Sequence, residues 1–168
     1  MFLDHYGVMS LATPGFIRTW CSQPSGNELH GRRLFEPFDP VAVNVLNDIL
    51  QKTDAEIVVS SDWKRHVTVE EMGDFYISQG INKRPFDFTP WLTGYPTYHQ
   101  QRAAEIHNWL ETCPEITIWA AVDDLHMGII ANNTHRSWGL ANFVWIENIQ
   151  TGITEPTIIK AILKYLGY

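Results

Sequence analysis

Apolar positions recur along this chain in two different periods. Nearly unbroken apolar runs at Phe2-Leu3, Ala55 to Ser60, Ile116 to Val122 and Asn142 to Ile146 are separated by stretches in which apolar residues return every three or four positions. The runs predict strands, the longer periodic stretches predict amphipathic helices, and their alternation predicts an α/β fold with a parallel sheet and crossover helices. One helix opens at Asp39-Pro40, an N-cap followed by a proline suited to the first turn, and its apolar face is Val41, Val45, Leu46, Ile49 and Leu50. A second opens on a capping box, Thr68 with Glu71, and stops at Gly80. A third begins near Arg102 with Ala103, Ile106 and Leu110 inward. The last starts at Thr154-Glu155-Pro156 and turns Ile158, Ile159, Ile162, Leu163 and Leu166 inward.

One segment breaks the alternation. Residues 10 to 38 hold Pro14, Gly15, Pro24, Ser25, Gly26, Asn27 and Gly31, a composition that favours turns, so this stretch is expected to be a small lid or a flexible insert. With no internal repeat and no second apolar pattern, residues 1 to 168 read as one domain.

Composition narrows the classes of function. The formal net charge is −7, from 12 basic and 19 acidic residues, which argues against a protein that grips nucleic acid by broad phosphate neutralisation. A local basic patch that holds a nucleic-acid end is still compatible with that balance. Cys21 and Cys113 stand far apart with no Cys-x-x-Cys spacing, so they read as free thiols of a reducing compartment. No leader pattern and no membrane-length apolar run is visible, and a cytoplasmic protein that does not contact a membrane is the expectation.

The chemistry lies where the apolar runs stop. The first ends in Asp4, with Gly7 giving the chain room to turn; the second ends in Ser60-Ser61; the third stops at Asp123-Asp124. In a parallel sheet these endings share one edge, the edge at which open α/β folds bind ligands. Carboxylates gathered there raise one another's pKa, and a hard divalent cation such as Mg²⁺ relieves the cost. Arg102 is placed to reach the same cleft as a fixed positive charge.

These residues resemble the haloacid dehalogenase (HAD) superfamily across nearly the whole chain. The match is carried by Phe2-Leu3-Asp4 with Gly7-Val8, by Ile57-Val58-Val59-Ser60-Ser61, by a basic residue at a helix start and by the apolar strand ending Asp123-Asp124. Val59 to Lys64, Arg102 to Leu110 and Gly152-Ile153-Thr154 are similar to small, nearly capless phosphatase-like domains of RNA-repair contexts and phages. The resemblance implies a Rossmann-like sheet with a minimal cap, Mg²⁺, and a phosphoaspartyl intermediate on Asp4 formed from a small phosphorylated substrate, a nucleotide or a nucleic-acid end. It further implies that Ser60 or Ser61 holds a phosphate oxygen, that Arg102 neutralises it, and that Asp4, the carbonyl of Tyr6, Asp123 and Asp124 surround the metal.

One position departs from that pattern. Phosphatases of the superfamily carry a second Asp two residues after the nucleophile as acid and base, and here Tyr6 stands there. A phenol has a reference pKa of about 10 against about 4 for a carboxyl, so it is a poor base near neutrality. The Asp-x-Tyr-Gly pattern therefore keeps two alternatives open: a hydrolase for substrates whose leaving group needs no proton, such as an acyl phosphate or a haloacid, and an impaired domain that binds a phosphorylated ligand or a protein. Lys64 and Arg65 compete with Arg102 for the phosphate, and Trp63 and Trp91 are placed to line a base or another aromatic ligand. His5, His66, His107 and His126 lack a zinc-like spacing and read as structural or surface groups.

Overall fold

The computed structural model describes residues 1–12, 35–128 and 138–168. Residues 13–34 of the expected lid or insert at 10 to 38 lie outside them. Among the described residues five short parallel strands form the sheet: β1 (Phe2–Leu3), β2 (Val58–Val59), β3 (Asp87–Phe88), β4 (Ala121–Asp123) and β5 (Phe143–Trp145), in the order β3-β2-β1-β4-β5. The helices are α1 (Pro40–Thr53), α2 (Val69–Ser78), α3 (Tyr98–Thr112) and α4 (Pro156–Tyr165). None of the helices among the described residues is long and apolar enough to cross a membrane.

Strand alternation sorts the core into two layers. Leu3, Val59 and Val122 pack on one face, with Leu46 and Ile49 of α1, Met72 and Tyr76 of α2 and Ile162 of α4. Phe2, Val58 and Ala121 pack on the other, with Ala103, Ile106 and Trp109 of α3. The register places Leu3 beside both Val59 and Val122, so the next residue on each strand, Asp4, Ser60 and Asp123, falls at one level of the sheet edge. Continuing the alternation, Asp4 and Asp123 share the parity of Phe2 and Ala121 and turn toward α3, whereas His5 turns toward α2, where its Nε2 lies 2.7 Å from the Tyr76 hydroxyl.

The helix signals work as the sequence implies. Asp39 Oδ1 accepts from the backbone of Val41 at 2.8 Å and Ala42 at 3.1 Å. Thr68 and Glu71 form the reciprocal capping box, and Gly80 takes a φ of +88° just past α2. Several elements differ from expectation. The strand expected over 116 to 122 pairs only from Ala121, and Ile116 and Ile118 are exposed. Helix α3 starts at Tyr98 under the cap Thr97, so Arg102 sits in its second turn rather than at its start. Strand β3 has no counterpart in the apolar pattern, because Asp87-Phe88 is only two residues long and lies between Pro85 and Pro90.

Candidate active site

A chain order that runs outward from β1 to β3 on one side and from β4 to β5 on the other puts the sheet's switch point between β1 and β4, and a ligand crevice opens beyond their carboxyl ends. Asp4 and Asp124 line a cleft of about 450 Å³ there, together with Tyr6, Ser61, Trp63 and Arg102. One side-chain oxygen from each of Asp4, Asp123 and Asp124 lies within 4.8 Å of the others, with Asp4 and Asp123 buried. Three hard oxygen donors at that spacing fit Mg²⁺.

The turn after β1 is shaped by two glycines. Gly7 has a φ of +69°, and a Cβ on it would stand 2.7 Å from Ile149 Cγ2 and 3.2 Å from Asp124 Oδ2, so only glycine lets the backbone pass this close to the acidic group. Gly152 has a φ of +52° and lies against the carbonyls of Gly7 and Val8, where a Cβ would collide with Val8 O at 2.5 Å. The Ile153 amide donates to the Val8 carbonyl at 3.1 Å. The late Gly-Ile-Thr sequence is thus a clasp on the turn that follows Asp4.

Arg102 is the internal counter-charge. Its Nη1 donates to Asp4 Oδ1 at 3.1 Å and to Asp123 Oδ2 at 3.0 Å, and its Nη2 donates to Asp62 Oδ1 at 2.9 Å. Burial opposes its charge, but Asp123, Asp4, Asp62 and Glu105 together raise its pKa above the ordinary value. Asp123 is pushed well above the usual carboxylate range by burial and then by Asp4, against the opposing pull of Arg102 and of the Leu125 amide that donates to its Oδ1 at 2.8 Å. His5 lies beneath this group, and burial followed by the charge of Arg102 lowers it to about 3, so its ring is neutral near pH 7.

The remaining sequence-predicted residues separate. Ser61 lines the cleft, whereas Ser60 is buried with an Oγ that finds no partner among the described residues. Lys64 does not face the cleft as a substrate cation. Its Nζ donates at 2.6 Å to Thr89 Oγ1 and at 2.6 Å to Glu105 Oε2, and burial lowers its pKa against the stabilising pull of Glu105. Arg65 lines the cleft instead, its guanidinium 4.0 Å from the Trp91 ring centre. Trp63 stacks on Phe35 at 4.6 Å with one part left to the cleft wall, and Trp91 completes that wall. Asp62 was visible in the sequence only as the residue after the serine pair. It opens the 3₁₀ turn Asp62–Arg65 and lines the cleft.

The family of HAD domains in Swiss Army Knife RNA repair proteins matches residues 1–158. The chain belongs to this family. Neither a curated relative nor a solved structure matches it. Membership agrees with the α/β Rossmann-like sheet, and it places the chain in a phosphatase-like hydrolase family that typically uses Mg²⁺, in keeping with the acidic cluster.

Proposed function

We propose that this HAD domain is a Mg²⁺-dependent phosphohydrolase that uses Asp4 as nucleophile on a small phosphoester, a nucleotide or a nucleic-acid end. The observation that carries the reading is the convergence of Asp4, Asp124, Ser61 and Arg102 on one cleft, with three carboxylates inside 4.8 Å. Asp4, Asp123, Asp124 and the carbonyl of Tyr6 would hold the ion, which when bound offsets negative charge on the carboxylates and on the phosphoryl group.

The chain's own groups do the rest. An oxygen of Asp4 attacks phosphorus, the ester P–O bond breaks, and the phosphoryl group resides on Asp4 until water releases it. Ser61 donates a hydrogen bond from its hydroxyl to a phosphoryl oxygen, and Arg102, already bonded to Asp4, supplies fixed positive charge to the same group. A volume of about 450 Å³ suits a nucleotide-sized ligand, and Trp63, Trp91 and Arg65 offer aromatic and cationic surface to a base. A net charge of −7 restricts nucleic-acid contact to this local patch and disfavours a long duplex track. The RNA-repair context of the family supports a nucleic-acid end as the substrate.

The test is turnover of 4-nitrophenyl phosphate with and without Mg²⁺. The expected result is metal-dependent phosphate release that falls by at least about 10³-fold in Asp4→Asn, with calorimetric Mg²⁺ binding strongly weakened in Asp124→Asn. Halide release from a haloacid without metal would overturn the reading in favour of dehalogenation.

A further inference from the structure

We propose that Asp62 is the general acid and base of this site, an inference that rests on the phosphohydrolase reading above. An alkyl phosphoester leaves as an alkoxide unless a donor protonates it, and a positioned donor contributes about 10²- to 10⁴-fold. Few groups at this cleft can serve. Arg65 and Arg102 do not release protons, and Tyr6 and Tyr98 are phenols with a reference pKa of about 10. Asp4 is the nucleophile, Asp124 faces the cation position, and Asp123 lies behind them with its two oxygens bonded by Arg102 and the Leu125 amide. Among the described residues lining the cleft, the carboxylate left over is Asp62.

Its placement suits the task. One guanidinium holds both acids: Nη2 of Arg102 donates to Asp62 Oδ1 at 2.9 Å while Nη1 donates to Asp4 Oδ1 at 3.1 Å. The planar fork of the arginine therefore fixes the proton-transfer group and the nucleophile on neighbouring donors. Exposure divides their roles: the Asp4 side chain is 8% exposed and that of Asp62 54%, so Asp62 is the one of the two open to water. A phosphoryl group held by Arg102 lies next to the Asp62 carboxyl, which shares the same guanidinium.

The steps balance. An Asp4 oxygen bonds to phosphorus, the ester P–O bond breaks, and the leaving oxygen takes the proton of the Asp62 carboxyl. Water then attacks phosphorus while the ionised Asp62 takes its proton. The P–O bond to Asp4 breaks, inorganic phosphate leaves, and both aspartates return to their starting forms.

Asp62→Asn separates this role from a merely structural one, because the amide oxygen still accepts from Arg102 but the side chain transfers no proton. Wild type and variant are compared with Mg²⁺ on 4-nitrophenyl phosphate and on a nucleoside monophosphate, with thermal melting as the check on folding. The expected result is a loss of about 10²- to 10⁴-fold in kcat/KM on the nucleoside monophosphate and under about 10-fold on the aryl ester. The variant should also show a burst of nitrophenolate, one per active site, before a slow steady state, because dephosphorylation lacks its base. Asp62→Glu should recover part of the alkyl activity. Equal losses on the two substrates without a burst would make Asp62 only a holder of Arg102, and unchanged turnover on both would remove it from the mechanism. A wild type inert on both substrates with Mg²⁺ would instead overturn the phosphohydrolase reading, which distinguishes the two failures.

Discussion

At the end of β2 two serines follow one another, and their surroundings give them different work. Ser61 lines the cleft, while the Ser60 hydroxyl is buried without a partner among the described residues. Removing an unpaired buried hydroxyl relieves a desolvation cost, whereas removing a ligand-facing one costs binding. Ser60→Ala is therefore expected to leave stability unchanged or to raise it by up to about 1 kcal/mol in urea unfolding, with turnover close to wild type. Ser61→Ala should weaken inhibition by inorganic phosphate by roughly 10-fold, the worth of about 1.4 kcal/mol of hydrogen bonding to a charged group. A reversed outcome, with Ser60→Ala losing phosphate inhibition, would exchange the two roles.

At the scale of elements, α3 ties the cleft together through two residues one turn apart. Arg102 reaches the strand ends, and Glu105 accepts from Lys64 Nζ at 2.6 Å, from the Leu92 amide at 3.1 Å and from Gln101 Nε2 at 3.0 Å. The 3₁₀ turn that carries Asp62 and Arg65 is thus fixed to α3 and to the segment after β3 by a buried ion pair whose side chains are 3% and 0% exposed. Glu105→Ala strands the Lys64 ammonium and should cost about 3 to 5 kcal/mol in urea unfolding. The double replacement Lys64→Met with Glu105→Leu should recover much of that loss, since no charge is then buried alone. Additive losses in the double variant would show that the pair is not coupled. None of this pairing was legible beforehand: Lys64 and Glu105 lie 41 positions apart, and a lysine beside a phosphate-site motif reads as a ligand cation until its partner is seen. The elements themselves were more legible where local chemistry marks them. Asp39-Pro40 and Thr68 with Glu71 located α1 and α2, whereas the polar first turn of α3, Tyr98 to Gln101, hid its start, and β3 was too short to carry a period. Ile116 and Ile118 misled because apolarity suggested pairing that the sheet does not provide.

For the whole molecule, the strand order does the gathering. Asp4, Ser61, Arg102 and Asp124 are spread over 121 positions of the chain, yet the parallel register of β2, β1 and β4 and the crossing of α3 over one face bring them to a single crevice. The strand-end residues were legible because a parallel sheet aligns its carboxyl ends, and the joining of Asp62 to Asp4 through one guanidinium was not, because it depends on where α3 crosses the sheet. The account stands on Asp4 as the phosphoryl acceptor, and that is tested most directly by acid-quenching the protein during turnover of an acyl or aryl phosphate with Mg²⁺ and mapping the phosphoryl group by mass spectrometry. A hydroxylamine-labile phosphoryl group on the peptide holding Asp4, absent without Mg²⁺ and absent in Asp4→Asn, is the predicted result. Phosphate release with no acyl phosphate at Asp4, or with undiminished rate in Asp4→Asn, would contradict it.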